Sequence, residues 1–442
     1  MNIFDDLQSR GLVSDFTGVP ESRADILPLL KRLADSSKPI TLYCGFDPTA
    51  DSLHVGSLVP LIALRRFQLA GHHPIAVAGG ATGSIGDPSG KTQERQLLTS
   101  EQIKANVEAV RPQLAKLLDF DAKENPARLV DNADWFAPIT LLDFLRDVGK
   151  HFTVNQMVAK ESVRARMEDR ETGISYTEFS YMMLQAYDFL HLRKEHNCEL
   201  QIGGSDQWGN ITAGIDLIRK KLGQHAYGLT LPLITKADGT KFGKTESGTI
   251  WLDAKKTSVY KFYQFWMNTD DRDVVKYLKY FTFLGADEIT ALETAHAENP
   301  GARQAHRVLA RDMTTLIHGK EAYDDACLAS GALFTPFGWN DTVKLNELNE
   351  NAFKIIRDEI PNAEVLPSQL EGEGVPLTDA LVVTGLCTSK GEARKKIGEG
   401  GIYVNNERAS SVTARLVKRD AFFGRYILLR KGKKDYALLT VA

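Results

Sequence analysis

Leu42-Tyr43-Cys44-Gly45-Phe46-Asp47-Pro48-Thr49-Ala50-Asp51-Ser52-Leu53-His54-Val55-Gly56-Ser57 takes an apolar, strand-forming start into a Gly/Pro turn and on to a helix predicted from near Ser57. A strand that turns directly into a helix is the unit from which parallel, doubly wound sheets are built. The order sets His54 and the backbone of Gly56 at a helix N-terminus, where unpaired N–H groups and the macrodipole favour anions. Far along the chain, Lys241-Phe242-Gly243-Lys244-Thr245 follows Thr235-Lys236-Ala237-Asp238-Gly239-Thr240, so lysines stand among Gly239, Gly243 and Gly248. Cations on a glycine-hinged loop suit a lid that closes over phosphates. Each segment alone is a weak signal; together they point to ATP chemistry.

From Ile40 to about Gly228, short apolar runs at 40–44, 75–78 and 200–202 alternate with helical stretches such as 58–70. The alternation predicts an α/β domain with a doubly wound parallel sheet over residues 1–228. Residues 229–248 are expected to form the lysine-bearing loop region. From 249 to 330 the pattern turns helical, with runs at 259–267, 273–283, 286–297 and 302–318. Residues 331–374, with Pro336, Pro361, Pro367 and Glu371-Gly372-Glu373-Gly374, read as a linker with minor structure of its own. The last segment, 375–442, opens on helices at 377–383 and 389–397 and ends in strands near 402–404 and 423–429, an α+β pattern.

A chain of 442 residues, 43% hydrophobic and 25% charged, suffices for about three domains with cores of their own. Its start lacks a basic-then-apolar leader and no run nears the length of a membrane span, so a cytoplasmic protein without membrane contact is expected. Cys44, Cys198, Cys327 and Cys387 lie far apart without metal-ligand spacing, which points to reduced thiols and no metal site. The net charge of −3 hides an asymmetry: residues 375–442 hold 13 Lys/Arg against 6 Asp/Glu, or +7, leaving 41 against 51, or −10, for the rest. The basic end reads either as a solvated surface or as a face for a polyanion such as RNA.

Within 179–190, Tyr181, Gln185 and Asp188 recur at i, i+4 and i+7 on one helix face, while Met182, Met183, Leu184 and Phe189 take the others. Such a helix is buried, and its polar stripe either lines a ligand cavity or hydrogen-bonds within the core. Gly203-Gly204-Ser205-Asp206-Gln207 follows a predicted strand and falls at the C-terminal edge of the sheet, where these folds bind nucleotides. Another loop, Ser89-Gly90-Lys91-Thr92-Gln93-Glu94-Arg95, offers Lys91 and Arg95 as further phosphate partners.

These segments resemble the class I aminoacyl-tRNA synthetases, with His54-Val55-Gly56-Ser57 answering to the HIGH signature and 241–245 to KMSKS. Ser57 stands where HIGH has its second His; a hydroxyl can hydrogen-bond or cap but supplies no imidazole. The runs 42–54, 79–88, 201–210 and 235–245 are similar to the bacterial tyrosyl branch of that class, and the likeness extends from about residue 40 to the C-terminus. Residues 401–405 and 425–434 resemble the RNA-binding domain first recognised in small-subunit ribosomal protein four. The resemblance implies a Rossmann-like catalytic domain, a small α-helical domain that recognises tRNA, and a C-terminal α+β RNA-binding domain. It implies tyrosine–tRNA ligase activity, with ATP as substrate, Mg2+ and no prosthetic group, tRNA(Tyr) as partner, and a homodimer.

By the same resemblance Tyr43 and Asp188 hold the substrate phenol, while Asp87, Tyr181, Gln185 and Gln207 surround its ammonium group. ATP falls to Gly45, Asp47, His54, Gly56, Ser57, Gly204, Asp206 and Lys244. Catalysis falls to His54, Thr49, Lys241 and Lys244, with Lys91 and Arg95 toward the departing pyrophosphate. The physics agrees, because a carboxylate accepts the phenol proton while the Tyr43 hydroxyl donates to the same oxygen, and phenylalanine would leave both unpaired. Three rivals stay open. A tryptophanyl enzyme shares fold and signatures, a nucleotidylyltransferase of the H-x-G-H superfamily needs no basic tail, and a non-catalytic RNA-binding paralogue needs no lysine loop.

Overall fold

Strands β1 (Thr41–Phe46), β2 (His73–Ala78), β3 (Arg128–Asp131), β4 (Cys198–Gly204) and β5 (Tyr227–Leu231) pair in parallel in the order β3-β2-β1-β4-β5. The computed structural model describes residues 2–17, 29–34, 38–89, 97–168, 173–245, 248–334 and 344–442. Parallel strands are covered on both faces, which is why Leu42, Tyr43 and Cys44 are consecutive, apolar and all buried. Helix Leu58–Leu69 follows β1 and packs on β1 and β2; helix Trp208–Leu222 follows β4 and packs on the long helix Tyr176–His196. The chain leaves β1 toward β2 and β3 on one side and resumes at β4 and β5 on the other. The loops after β1 and β4 therefore part, and the crevice they open at the strand C-termini is where such sheets bind ligands.

Close backbone approach at that edge needs glycine. Gly79, just past β2, donates its N–H to the Phe46 carbonyl at 3.0 Å, and a Cβ there would collide with the Asp47 carboxylate and the Thr82 hydroxyl. The long helix is held at its start by a buried ion pair. Arg166, on helix Glu161–Glu168, donates to Glu178 at 3.1 and 2.9 Å, with side chains 4% and 2% exposed. Removing one partner leaves an uncompensated buried charge, so Glu178→Ala is expected to lower unfolding free energy by about 3–5 kcal/mol in urea titrations.

The chain divides into two units: Met1–Thr257 with Thr269–Glu293, which contains this sheet, and Ser258–Asn268 with Thr294–Ala442. In the second, helices Val259–Met267, Gln304–His318 and Lys320–Phe334 pack together. A sheet of strands Glu407–Arg408, Ile402–Val404, Tyr426–Lys431, Asp435–Val441 and Asn362–Val365 completes it, in that order. The helix pair Leu377–Val383 and Lys390–Gly398 matches the expected start of the basic segment.

The stretch expected as a linker with minor structure of its own holds a helix and a strand that pack into the second unit. Within it, helix Glu350–Glu359 buries Phe353 against Phe422 and Tyr426, and strand Asn362–Val365 pairs in parallel with Asp435–Val441. The boundaries placed at 228, 248, 330 and 374 therefore do not coincide with the division into two units, and a cut at 374 would strip a sheet of its edge strand. Among the described residues, no helix is long and apolar enough to cross a membrane.

Candidate active site

A cleft of about 680 Å³ opens at the C-terminal ends of β1 and β4. Of the residues expected at the site, Tyr43, Gly45, Asp47, Thr49, His54, Gly56, Ser57, Asp87, Tyr181, Gln185, Gly204, Asp206, Gln207 and Lys241 line it. Asp188 and Lys244 do not. Lys91 and Arg95 lie outside the described residues.

Asp188 is 5% exposed and sits behind the cleft wall, where Trp135 Nε1 donates to its Oδ1 at 2.8 Å and Asn132 Nδ2 to its Oδ2 at 3.1 Å. Burial pushes its carboxyl up to about 8, against the lowering effect of those two donors. Tyr43 on β1 is buried, with a hydroxyl that has no hydrogen-bond partner. Burial, reinforced by the Asp188 charge, raises its phenol well above the usual range, so it keeps its proton and acts as a donor. A buried hydroxyl without a partner costs free energy unless a ligand supplies one. Gln201 of β4, level with Tyr43 in the sheet, likewise turns a buried, unpartnered Oε1 at the cleft.

Two hydrogen-bonded polar clusters, centred on Asp47 and Asp87, line the same cleft. Tyr181 donates its hydroxyl to Asp47 Oδ2 at 2.8 Å, and Thr82 donates to Asp47 Oδ1 at 2.8 Å. Asp47, expected toward the phosphates, is thus tied by one oxygen to Tyr181, a residue expected at the amino acid, and by the other to Thr82. Asp87 accepts the Ser89 N–H at 2.9 Å and Gln207 Nε2 at 2.6 Å.

The first signature is organised from within. Gly56 N–H donates to His54 Nδ1 at 3.0 Å and Ser57 N–H to the His54 carbonyl at 2.8 Å. The helix-start N–H groups expected to meet an anion are therefore engaged by His54 itself, and the neutral imidazole carries its hydrogen on Nε2. Ser57 makes no side-chain cap.

The second signature is stitched to the first: Val55 N–H donates to the Ile250 carbonyl at 3.0 Å, Leu252 N–H to Leu53 at 2.8 Å, and Ile250 N–H to Gly243 at 3.0 Å. Gly243 has φ +78°, and a Cβ there would stand 2.7 Å from Val55 Cγ2, so glycine is required by both conformation and space. Lys241 reaches the cleft. Lys244 is exposed on the hairpin Lys244–Thr245 with Gly248–Thr249, its carbonyl accepting Lys236 Nζ at 2.9 Å.

Asn132, Trp135, Gln201 and Asn210 escaped sequence reasoning. Asn132 and Trp135 stand just past β3, the position of a site residue in this sheet type, and that placement was their one available signal.

A Rossmann-like sheet with paired signatures across its switch point defines a class I aminoacyl-tRNA synthetase. The family model "tRNA synthetases class I (W and Y)" matches residues 35–335, and "Tyrosine--tRNA ligase SYY-like C-terminal domain" matches 353–439. The tyrosine–tRNA ligase of Opitutus terrae is 57% identical over 441 residues, covering 100% of both chains, and that of Roseiflexus castenholzii is 54% identical over 439 residues, covering 99% of each. A C-terminally truncated mitochondrial tyrosyl-tRNA synthetase of Aspergillus nidulans superposes with TM-score 0.66 at 32% identity, over 75% of this chain and 94% of that one. A tryptophanyl-tRNA synthetase from Encephalitozoon cuniculi, at TM-score 0.51 and 14% identity over 73% of this chain and 86% of its own, shares the fold alone. The chain belongs to the bacterial-type tyrosyl-tRNA synthetase family.

Proposed function

We propose that the buried end of the cleft binds the tyrosine phenol between Tyr43 and Asp188, and that Asp87, Tyr181, Gln185 and Gln207 take its ammonium. The protein's activity is tyrosine–tRNA ligation: it activates tyrosine with ATP and transfers it to tRNA(Tyr). The observation that carries the residue assignment is the buried, unpartnered Tyr43 hydroxyl beside a buried carboxyl. The tyrosine carboxylate attacks the α-phosphorus of ATP, its bond to the β-phosphate oxygen breaks, and pyrophosphate leaves with that electron pair. A ribose hydroxyl of the tRNA then attacks the adenylate carbonyl, the bond from that carbon to the phosphate oxygen breaks, and AMP leaves with the electron pair as the hydroxyl proton passes to its phosphate. No protein nucleophile is needed, so the chain's work is positioning and charge stabilisation. His54 donates from Nε2 to a phosphate oxygen, Thr49 and Lys241 flank the same end, Lys244 arrives by loop closure, and Lys91 and Arg95 are assigned to pyrophosphate from the sequence resemblance alone. Gly45, Gly56, Ser57, Gly204 and Asp206 border the nucleotide.

Two of the cleft carboxylates are engaged by protein donors, Asp47 by Thr82 and Tyr181 and Asp87 by Ser89 and Gln207. That donor set suits a Mg2+ carried on the ATP phosphates rather than in a protein cage, and the ion would supply charge neutralisation there. Charging of tRNA(Tyr) that survives chelation of divalent cations would contradict this part of the proposal. The helical part and the basic end, with helix Lys390–Gly398, would hold the tRNA body. Four free thiols fit a reducing compartment, and the cytoplasm is the proposed location.

A homodimer is proposed from helix Leu141–Asp147, which has no buried residue although Leu141 and Leu142 are 71% and 78% exposed, with Val154 also exposed nearby in sequence. An apolar face of this kind marks an interaction site. Leu142→Glu is expected to shift the protein to half its mass in sedimentation equilibrium, and an unchanged mass would place the interface elsewhere.

A further inference from the structure

We infer that Asn210, outside the residues lining the cleft, is a positioning residue that fixes the polarity of the amino-acid pocket; this rests on the assignment of Asp87, Gln185 and Gln207 to the substrate ammonium. Asn210 stands in the first turn of helix Trp208–Leu222 and is 3% exposed. Its Nδ2 donates to Gln185 Oε1 at 3.0 Å and to Gln207 Oε1 at 3.3 Å, and reaches Ser89 Oγ at 3.5 Å.

The polarity of the network starts at Asp87, because a carboxylate only accepts. Its Oδ2 takes Gln207 Nε2, and its Oδ1 takes the Ser89 N–H. With Nε2 committed, Gln207 turns Oε1 toward Asn210. Asn210 must answer with its NH2 group, and Gln185 must then show Asn210 its oxygen rather than its nitrogen. Asn210 thus joins Gln185 on one helix to Gln207 at the start of another, and one carboxylate dictates three amide orientations.

The second lone pair of Gln185 Oε1 is what a substrate ammonium needs. Terminal amide torsions are broad and roughly two-fold, so without Asn210 Gln185 loses the donor that selects its orientation, while Gln207 keeps its bond to Asp87. The flipped Gln185 would present NH2 to a cation. Loss of Asn210 should therefore weaken binding of the ammonium group, leaving recognition of the phenol and of ATP intact.

The test compares tyrosine with 3-(4-hydroxyphenyl)propanoate, which is tyrosine without its amine, in ATP–pyrophosphate exchange by the full-length protein. Asn210→Ala is expected to raise the tyrosine KM about tenfold while the KM for ATP and the inhibition constant of the amine-free analogue move less than about twofold. Asn210→Ser keeps one donor and should fall between, and it carries the test if the alanine variant does not fold. Equal weakening of tyrosine and the analogue would mean a packing role and would overturn the inference. So would an unchanged tyrosine KM in a variant with the wild-type melting temperature. Asp87→Asn separates the two levels. A raised tyrosine KM there without one in Asn210→Ala sinks the inference alone, whereas no change in Asp87→Asn sinks the ammonium assignment beneath it.

Discussion

Asp188→Ala is expected to collapse the preference for tyrosine over phenylalanine in adenylate formation by about a thousandfold. Two effects multiply. Tyrosine loses the acceptor for its phenol proton, a hydrogen bond to a group that can carry charge, worth about 1.5–3 kcal/mol. Phenylalanine gains, because its ring no longer packs against a buried polar carboxyl that it cannot hydrogen-bond, a relief of about 1–3 kcal/mol. The variant also orphans Trp135 Nε1 and Asn132 Nδ2, which now donate to Asp188, so its melting temperature must be measured beside its kinetics. Stability carries an independent signature. The native Asp188 carboxyl, raised to about 8, holds a proton that the unfolded chain releases from about pH 4 upward. Relative to Asp188→Ala, the wild-type protein should therefore lose stability as pH rises from about 4 to about 8 and level off above that. A discrimination ratio that survives the substitution would remove Asp188 from the specificity site.

Lys244→Ala is expected to slow tyrosyl-adenylate formation by about a hundred- to a thousandfold while leaving the dissociation constant of tyrosine unchanged. The geometry sets this expectation apart from a simple binding role. Lys244 is exposed on its hairpin and off the cleft wall, whereas Lys241 of the same loop already lines the cleft. An ammonium that meets phosphate only after the loop moves contributes to the transition state and not to the ground state. The backbone suits a hinge: Gly239, Gly243 and Gly248 all have positive φ, while Val55 and Leu252 join the segment after the loop to the first signature. Pre-steady-state pyrophosphate release would measure the rate, and equilibrium dialysis the tyrosine affinity. Equal losses in both would assign Lys244 to ground-state binding.

The doubly wound sheet was legible because parallel strands covered on both faces appear as apolar runs, as Leu42-Tyr43-Cys44 of β1 and Ile75-Ala76-Val77-Ala78 of β2 do, whereas β4 interleaves Glu199 and Gln201 with its apolar residues. The stripe of Tyr181, Gln185 and Asp188 was legible for a similar reason, since helical periodicity places them together before any tertiary contact exists. Asn210 carries no such local signal. Its meaning lies in Gln185 on a preceding helix and in Asp87 past another strand, contacts that arise only when the sheet closes. The strand Asn362–Val365 was missed because an edge strand of Asn-Ala-Glu-Val is too short and too polar for periodicity to mark. The anion-binding N–H groups of Gly56 and Ser57 were anticipated from the helix start. The structure shows that the neighbouring histidine takes them first, and sequence position alone does not indicate which acceptor wins.

The most direct test of the account is tyrosine-dependent exchange of labelled pyrophosphate into ATP, run without RNA and with phenylalanine and tryptophan in parallel. The account predicts rapid exchange with tyrosine and exchange near background with the other two, because phenylalanine would leave the buried Tyr43 hydroxyl without a partner. Exchange with tryptophan or phenylalanine at a rate matching tyrosine, in a folded sample, would contradict it.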